Sequence, residues 1–417
     1  MDSDMHCLDT VIVGAGLSGL AAACDLKDTS LMLLEKNDYP GGRVYTGNED
    51  GTVYELGALF AYEPYGLPIE INSSPLIRED GPIGLYHQGE MVYGHSGLQC
   101  LLETGMTKHE LEQLIGADPA AAPAPAIPTP LNALFRVIHP ADMADSVPQR
   151  RRDALIKFAT HHFVQGNREL ITALASVLPS PVILKAEVLA VEGCPDHVKT
   201  TYRQADQLKT VFSKTAVVST PAPVAKSIVV SLNQECRNFL ASLRYGEGTV
   251  VIFGCKDVDF HDFSYIVTPR LPVNTLFKYR TAHEDITVLV VYYVAEQSLA
   301  LHGKDALEIV SQARDIIGRI HPYTGSMTED NIIFSRVHRW EHVGPVISAD
   351  AYGKWTPACR RPSDRVFLCG DYQHVEHVHL MPYGMTAAML SGRQAAAAVR
   401  EFLSRLTRAR TTGTWTH

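Results

Sequence analysis

The segment Thr10-Val-Ile-Val-Gly-Ala-Gly-Leu-Ser-Gly19 sets the class of the fold. Its apolar, β-branched start predicts a buried parallel strand, and the alanine-rich residues 20–26 behind it predict a helix. Leu31-Met-Leu-Leu34 predicts a second buried strand, which ends on Glu35. A strand, a glycine turn, a helix and a strand within about thirty residues form one βαβ unit.

Three glycines of this segment have the spacing of a dinucleotide-binding turn. Gly14 suits a tight turn, Gly16 lets a pyrophosphate approach the backbone, and Gly19 allows the helix to pack closely. The helix N-terminus then directs its N–H groups and the positive end of its dipole at the phosphates. Glu35 lies 21 residues after Gly14, where its carboxylate can accept hydrogen bonds from ribose hydroxyls.

The composition suits a globular protein of two domains. The 417 residues are 46% apolar and 20% charged, which is enough to bury a sizeable core. The net charge of −9 gives no general attraction to nucleic acid or to an anionic membrane, so neither is an expected partner. The eight cysteines form no C-x-x-C pair, which argues against a zinc site and a disulfide framework and favours a reducing compartment.

Residues 1–9 lack the basic start and the apolar stretch of a signal peptide. The sequence contains no run of eighteen apolar residues, so we expect no membrane span. The expected location is the cytoplasm, for a soluble protein.

Motifs along nearly the whole chain resemble the flavin amine oxidase and phytoene desaturase-like superfamily. They occur in the family's order, are specific for FAD rather than NAD, and leave only residues 59–165 without a match. Besides Glu35 and Val188, the matching stretches are Gly41-Gly-Arg43, Tyr54-Glu-Leu-Gly-Ala58, Val164-Gln-Gly-Asn167, Ser219-Thr-Pro221, Arg339-Trp340, Gly344-Pro345, Phe367-Leu-Cys-Gly-Asp371 and Ser391-Gly-Arg-Gln-Ala-Ala396.

The resemblance implies a site for FAD. Glu35 would bind the adenosine ribose, Arg43 would lie along the pyrophosphate and flavin, and Asp371 would bind near the pyrophosphate and ribityl chain. Val188 would contact adenine through its backbone, and Met385 would bring its N–H near flavin N1, where reduced flavin carries negative charge. None of the cysteines stands where amine oxidases tether the flavin, so FAD should be bound noncovalently. The full predicted set is Gly14, Gly16, Gly19, Glu35, Gly42, Arg43, Gly57, Val188, Gly370, Asp371 and Met385.

The predicted fold class is α/β: a Rossmann-type FAD-binding lobe in three discontinuous segments, and a second, substrate lobe of mixed sheet plus helices. FAD is expected to lie extended between the lobes. Residues 197–212 predict a hairpin, and residues 216–219 predict a separate buried strand. The segments are 1–58, 166–235 and 355–403 for the FAD-binding lobe, 59–165 and 236–354 for the substrate lobe, and 404–417 for a flexible tail.

Two positions depart from the amine oxidase pattern. In that family a lysine near the start of one strand holds a water at flavin N5. Alignment on Tyr245-Gly246 puts Val250 at the position of this lysine. An aromatic residue is expected just before the last helix, where this chain has Gly384; a shift of register would bring Tyr383 there.

The segment His374-Val-Glu-His-Val-His379 is the densest cluster of functional side chains. In an extended chain Glu376 points away from His377 and His379, so we expect no metal site. One interpretation is an ordinary surface loop. The other is substrate contact or proton relay, because the resemblance puts the loop beside the flavin and imidazole titrates near neutrality. The catalytic candidates are His377, His379 and Tyr383.

Three further features each have a structural and a functional interpretation. Residues 117–130 contain five prolines and predict an exposed linker, or alternatively a flap over a substrate entrance. Arg150-Arg-Arg152 predicts a solvated face, or a contact to a substrate carboxylate. Trp340 is expected in the core, with pocket lining as the alternative.

The expected function is an FAD-dependent oxidoreductase that transfers a hydride from a C–N or C–C bond of a small organic substrate to flavin N5. O2 or another acceptor would reoxidise the flavin. A flavin double-bond isomerase of a fatty-acid-like substrate is the first alternative, and a non-catalytic FAD-binding module is the second.

Overall fold

The computed structural model describes residues 7–62, 76–116, 127–157, 160–320, 324–325, 327–373, 375 and 384–412. The contacts of the chain cluster into two compact units. Unit 1 comprises Met1–Val44, Arg168–Leu243 and Asp350–His417, and unit 2 comprises Tyr45–Asn167 and Arg244–Ala349.

Strands and helices are numbered in chain order. The strands are β1 Leu8–Val13, β2 Leu31–Leu34, β3 Thr46–Glu49, β4 Thr52–Glu55, β5 Ala61–Tyr62, β6 Leu76–Glu79, β7 Ile83–His87, β8 Glu90–Gly94, β9 Thr160–Phe163, β10 Ala186–Gly193, β11 Val198–Gln204, β12 Gln207–Val218, β13 Arg244–Lys256, β14 Tyr265–Val267, β15 Thr275–Arg280, β16 Ile286–Val294, β17 Ile332–Val346 and β18 Val366–Leu368. The helices are α1 Leu17–Asp25, α2 Gly97–Glu103, α3 Lys108–Gly116, α4 Thr129–Phe135, α5 Arg168–Ser176, α6 Ala222–Ile228, α7 Gln234–Ser242, α8 Glu296–Leu299, α9 Ala306–Arg319, α10 Ala349–Lys354 and α11 Gly384–Thr412. Short 3-10 helices lie at Met143–Asp145, Pro148–Leu155, Glu329–Asn331, Pro357–Arg360 and Asp371–Gln373.

The sheet of unit 1 has a parallel part and an antiparallel part. β2, β1, β12 and β18 pair in parallel, and β10, β11 and the first half of β12 form an antiparallel meander. The sequence predicted two strands where β12 runs unbroken. The polar residues that suggested a break are buried because their hydroxyls are bonded: Ser213 donates to the Thr215 carbonyl, and Thr215 donates to the Asp9 carbonyl.

Two helices of unit 1 pack closely because small residues separate them. A Cβ added to Gly392 of α11 would lie 2.1 Å from the carbonyl oxygen of Ser18 in α1. The alanines of α1 are buried, which fits the alanine-rich pattern of the sequence. This close approach fixes the start of α11 relative to the turn that precedes α1.

Unit 2 is built on a seven-stranded sheet in the order β17-β13-β16-β15-β14-β7-β8. Neighbouring strands are antiparallel except for β14 and β7. On one face lies α9, which begins with a capping box of Asp305 and Glu308 and presents Ile309, Ala313 and Ile316 to the sheet. The other face carries Val250, Ile252 and the apolar sides of α2, α3 and α4.

The predicted fold class is confirmed, and the segment bounds differ from the predicted ones. The first segment of unit 1 ends at Val44, because Tyr54 and Leu56 pack into the core of unit 2. The other unit boundaries follow Asn167, Leu243 and Ala349. The prediction of a flexible tail at 404–417 is wrong for residues 404–412, which continue α11, and residues 413–417 lie outside the described part of the chain.

In the predicted proline-rich segment, residues 117–126 lie outside the described part of the chain. Its last two residues, Thr129 and Pro130, instead begin α4, where proline costs no hydrogen bond in the first turn. Within the described ranges, no helix is both long and apolar enough to cross a membrane.

Candidate cofactor site and substrate face

The turn between β1 and α1 gives each of its glycines a different role. Gly14 has a φ of +95°, a left-handed conformation that favours glycine. A Cβ on Gly19 would lie 1.9 Å from the carbonyl oxygen of Gly14, so the helix packs directly on the turn. A Cβ on Gly16, in contrast, would meet nothing within 4 Å. The backbone at Gly16 is therefore open to a ligand.

The first turn of α1 fits an anionic ligand. Its N-cap is Gly16, and no side chain caps it, so its N–H groups need another acceptor. The Gly41 N–H donates to the Ala15 carbonyl at 2.8 Å and brings the next loop alongside. Gly42 has a φ of +58°, and a Cβ there would lie 3.4 Å from the Gly16 Cα. This cradle, which side chains would fill, suits the pyrophosphate of a dinucleotide.

Glu35 is held beside this cradle by the backbone. It is 5% exposed, and its carboxylate accepts the Ala15 N–H at 2.8 Å and the Asn37 N–H at 2.9 Å. A carboxylate has about four acceptor positions, so it can also accept ribose hydroxyls. The position fits the role that the sequence predicted for Glu35.

We expect Glu35→Gln to weaken FAD binding by roughly 1 kcal/mol or more. A charge-assisted bond to the ribose becomes neutral, and the amide nitrogen can no longer accept a backbone N–H. Titration of deflavinated protein with FAD, followed by flavin fluorescence, measures the change. The matched control is Glu187→Gln on an exposed position of β10. Equal affinity in Glu35→Gln and the wild type would contradict the assignment.

Two predicted cofactor residues from opposite ends of the chain meet in unit 1. The guanidinium of Arg43 donates to both carboxylate oxygens of Asp371, at 2.8 and 3.0 Å. The Asp371 side chain is 7% exposed and that of Arg43 is 30% exposed. The neighbouring Gly370 N–H donates to Ser391 Oγ at 2.7 Å, which ties the end of β18 to α11. A bidentate pair of this kind fixes the direction of the guanidinium.

Three other predicted cofactor residues divide between the units. Val188 lies on β10, which starts beside Glu35 because the Ala186 N–H donates to the Glu35 carbonyl at 2.8 Å. Met385 is buried in the first turn of α11. Gly57 follows β4 and belongs to unit 2, whereas the rest of the predicted set belongs to unit 1.

The predicted catalytic residues His377, His379 and Tyr383 lie outside the described residues, as do His374 and Glu376. They stay predictions from the sequence. Among the described residues, no three His, Cys, Asp or Glu side chains form a cluster that could hold a metal ion.

Unit 2 contains an aromatic cluster, defined by Tyr45, His338 and Trp340. Sequence reasoning singled out Trp340 but missed its association with Tyr45 and His338. The ring centroids of His338 and Trp340 are 4.3 Å apart, and Tyr45 lies 5.3 Å from His338 and 6.4 Å from Trp340. All three rings are partly buried, and the Trp340 indole N–H donates to the Leu56 carbonyl at 2.7 Å. Burial lowers the pKa of His338. The alternation of His338 and Trp340 along β17 is the signal that was available in the sequence.

Val250, where the resemblance expects a lysine, is buried in the middle of β13. Its cross-strand partners are His338 on β17 and Tyr292 on β16. Directly paired residues project from the same face of a sheet. An imidazole and a phenol therefore flank the valine on this face.

Two motifs that the sequence presents separately join at Glu55 in unit 2. Glu55 is 2% exposed, and its carboxyl group accepts the Asn167 N–H at 2.6 Å and the Thr46 hydroxyl at 2.8 Å. The Asn167 side chain donates to the Ala58 carbonyl at 2.8 Å. Burial raises the pKa of Glu55 to about 8, against the opposing effect of these hydrogen bonds. The buried group is therefore largely a neutral carboxylic acid at pH 7.

The prediction of a solvated arginine face at 150–152 is wrong for two of its three residues. Arg150 and Arg151 are 6% and 4% exposed. A 3-10 helix turns successive side chains by a third of a revolution, so three consecutive arginines cannot share one solvent face. Close by, the His139 ring donates to or accepts from Asp153 at 2.9 Å, within the same buried region.

Comparison with known proteins gives two family matches. The model of the flavin containing amine oxidoreductases matches residues 135–400, and that of an NAD(P)-binding Rossmann-like domain matches residues 12–66. The two matches together include parts of both units and leave residues 67–134 unmatched.

Individual proteins resemble the chain over most of its length. The L-amino acid oxidase of Cerastes cerastes is 23% identical and covers 91% of this chain and 86% of its own. The flavin-dependent L-tryptophan oxidase of Lentzea aerocolonigenes is 22% identical and covers 87% of this chain and 92% of its own. The solved structure of cyclohexylamine oxidase from Brevibacterium oxydans, 16% identical, superposes with a TM-score of 0.76 over 95% of this chain and 100% of that chain.

Proposed function

Because the chain belongs to the family of flavin containing amine oxidoreductases, we propose that it oxidises the C–N bond of a small primary amine that has no α-carboxylate. Membership makes it an FAD-dependent oxidoreductase of amines or amino acids, which confirms the predicted enzyme class and the FAD cofactor. It does not favour the double-bond isomerase or the non-catalytic module. The restriction to amines is the proposal.

The observation that carries the proposal is the aromatic cluster of unit 2. Aromatic faces attract a cation such as an ammonium group, by about 0.5–2 kcal/mol for each contact. A substrate carboxylate would need a compensating cation. The buried Arg136 is already paired through both terminal nitrogens with Glu296 at 2.7 Å. Of the other two arginines that are buried in the described part of the chain, Arg151 donates to the Leu114 carbonyl at 3.2 Å and Arg150 lies beside His139. These contacts support an amine over an amino acid.

The residues of unit 1 would hold the cofactor. FAD, when bound, supplies the hydride acceptor. Glu35 would bind the ribose, the glycine turn and Arg43 the pyrophosphate, and Asp371 the ribityl chain. Val188, Met385 and Gly57 stay in the proposed set, and O2 is the proposed final acceptor.

A substrate panel tests the proposal. Under anaerobic conditions, cyclohexylamine and benzylamine should bleach the flavin faster than L-tryptophan and L-leucine do. Readmission of air should restore the colour and release peroxide if O2 is the acceptor. Faster bleaching by the L-amino acids would overturn the restriction to amines.

The segment 374–379 carries a prediction made from the sequence alone. We expect His377→Ala or His379→Ala to keep bound flavin but to slow its anaerobic reduction about 10²-fold for the residue that contacts substrate. A hydrogen bond to substrate matters most in the transition state, so FAD affinity should not change. Stopped-flow spectroscopy measures the reduction rate, with His302→Ala on an exposed turn as the control. Wild-type rates in both variants would assign the segment to ordinary surface.

FAD is expected to be released intact by acid. Burial raises the pKa of the buried thiol of Cys369 to about 12 and that of the partly buried thiol of Cys24 to about 11, so both are unreactive at neutral pH. After precipitation with acid the yellow colour should stay in the supernatant. A flavin-coloured pellet would refute noncovalent binding.

A further inference from the structure

His338 lies at the centre of the aromatic cluster and at the β17 end of a row of side chains across three strands. Val250 on β13 is its direct neighbour in this row, and Tyr292 on β16 follows Val250. Trp340 and Tyr45 contact its ring from the same strand and from the start of unit 2. An imidazole is thereby placed among rings that favour a cationic ligand.

The surroundings keep this imidazole neutral. Burial lowers the pKa of His338 below its ordinary value of 6.5. The charged groups nearest along this face are Arg336, two residues earlier on β17, and Glu49 on β3, and these two form an ion pair with each other. The phenols of Tyr45 and Tyr292 also lie on this face, and the phenol of Tyr54 interacts with Tyr45 and Arg336. A neutral imidazole can accept a proton at neutral pH.

Amine oxidation creates a need for such an acceptor. A primary alkylamine has a pKa of about 10 and reaches the enzyme as an ammonium ion. The carbon next to nitrogen gives up a hydride only when the nitrogen lone pair can stabilise the cation that forms, and an ammonium nitrogen has no lone pair. One N–H bond must therefore break first.

We propose that His338 accepts this proton from the substrate ammonium group. The N–H electron pair stays on the substrate nitrogen, a ring nitrogen of His338 binds the proton, and the imidazolium later releases it to water. The rings of Tyr45 and Trp340 hold the cation while the transfer occurs. The inference deepens the proposed function and rests on it.

Another buried imidazole in unit 2, His139, is less suited to this role. It is 8% exposed, its Nε2 is bonded to Asp153 at 2.9 Å, and its ring stacks on Phe135 at 3.9 Å. His338 is more exposed, and aromatic rings surround it rather than a carboxylate.

The test compares the wild type with His338→Gln in anaerobic flavin reduction by cyclohexylamine, from about pH 5.5 to about pH 10. In the wild type, the rate of flavin reduction divided by the dissociation constant of the amine should fall at acid pH as His338 becomes protonated. In the variant the break at the pKa of His338 should vanish from the pH profile, and reduction at pH 7 should be slower by about 10² or more. The variant should then gain about tenfold per pH unit and recover near pH 10, because it depends on free amine in solution. A variant with a purely structural defect would not recover with pH.

His342→Gln provides the matched control, since His342 is a partly buried imidazole on the same strand, 5.3 Å from the ring of Tyr245. It should keep the wild-type pH profile. A second measurement needs no turnover: the His338 ring resonance, assigned by its loss in the variant, should titrate below 6.5 in an NMR experiment on the holoenzyme.

The outcomes separate the two proposals. Identical pH profiles in His338→Gln and the wild type, or loss of the wild-type break at acid pH only in His377→Ala or His379→Ala, would overturn the role of His338 alone. A wild-type flavin that is bleached by L-amino acids and by no amine would overturn the proposed function, and the inference with it.

Discussion

Gly16→Val is expected to abolish FAD binding while the apoprotein stays folded. The space around the Gly16 Cα is open, so the Cβ of a valine meets nothing within 4 Å in the protein itself. It would occupy the place where the backbone must approach a pyrophosphate. The expected loss of affinity is more than about 10², from lost phosphate contacts and steric overlap. Flavin content after purification and fluorescence titration of the apoprotein measure it.

The contrasting variant is Gly19→Ala. Its methyl group would lie 1.9 Å from the Gly14 carbonyl and 2.6 Å from Ser219 Oγ, so here the turn itself must shift. We expect a lower melting temperature as well as loss of flavin. Gly318→Ala, at an open helical position in α9, should keep the flavin and should not lower the melting temperature, because alanine favours the helix more than glycine does. Normal FAD affinity in Gly16→Val would exclude the glycine turn as the pyrophosphate site.

Glu55→Gln should remove a large pH dependence from the stability of the protein. The folded-state pKa of Glu55 is about 8, above its ordinary value of 4.5, so folding takes up a proton between these values. The contribution of Glu55 is fully present below the ordinary pKa and is lost as pH rises toward about 8. The slope is at most about 1.4 kcal/mol per pH unit. The glutamine keeps an oxygen for the Asn167 N–H and has no charge to desolvate.

Urea unfolding of both proteins between about pH 5 and about pH 8.5 provides the measurement. The free energy of unfolding of the wild type should fall relative to that of Glu55→Gln with each increase in pH. At the alkaline end of the range the variant should be the more stable protein. Glu341→Gln, on an exposed position of β17, serves as the control and should follow the wild type. A constant difference between wild type and Glu55→Gln at all pH values would show that Glu55 stays ionised in the folded state.

The sequence predicted the parts of the fold that depend on local pattern. The βαβ unit from Thr10 to Glu35 is encoded within about thirty residues by strand, glycines and acid, and the structure has it at those positions. The mixed sheet of the second unit also agrees. Strand ends were harder to predict, because the buried hydroxyls of Ser213 and Thr215 are satisfied by contacts that no local pattern reveals.

Features that depend on contacts between residues far apart in the chain could not be predicted from local sequence pattern. Tyr45 and His338 are almost three hundred residues apart in the chain, and their contact follows from how β17 and the start of unit 2 pack. The joining of Glu55 to Asn167 has the same origin. The burial of Arg150 and Arg151 was missed because consecutive charges usually indicate solvent, whereas a 3-10 helix distributes them.

The discontinuity of unit 1 has a consequence for protein synthesis. β1 finds β2 within about twenty residues, but its other neighbour, β12, leaves the ribosome only after about half of the chain has been made. Until then, the N–H and C=O groups along one edge of β1 have no partner strand. Such an edge can pair wrongly with another nascent chain. Asp371 and α11 are made later still. When the protein is overproduced, we therefore expect the yield of folded protein to depend mainly on the protection of the nascent N-terminal half. Chaperones or slow growth should raise this yield more than added flavin does.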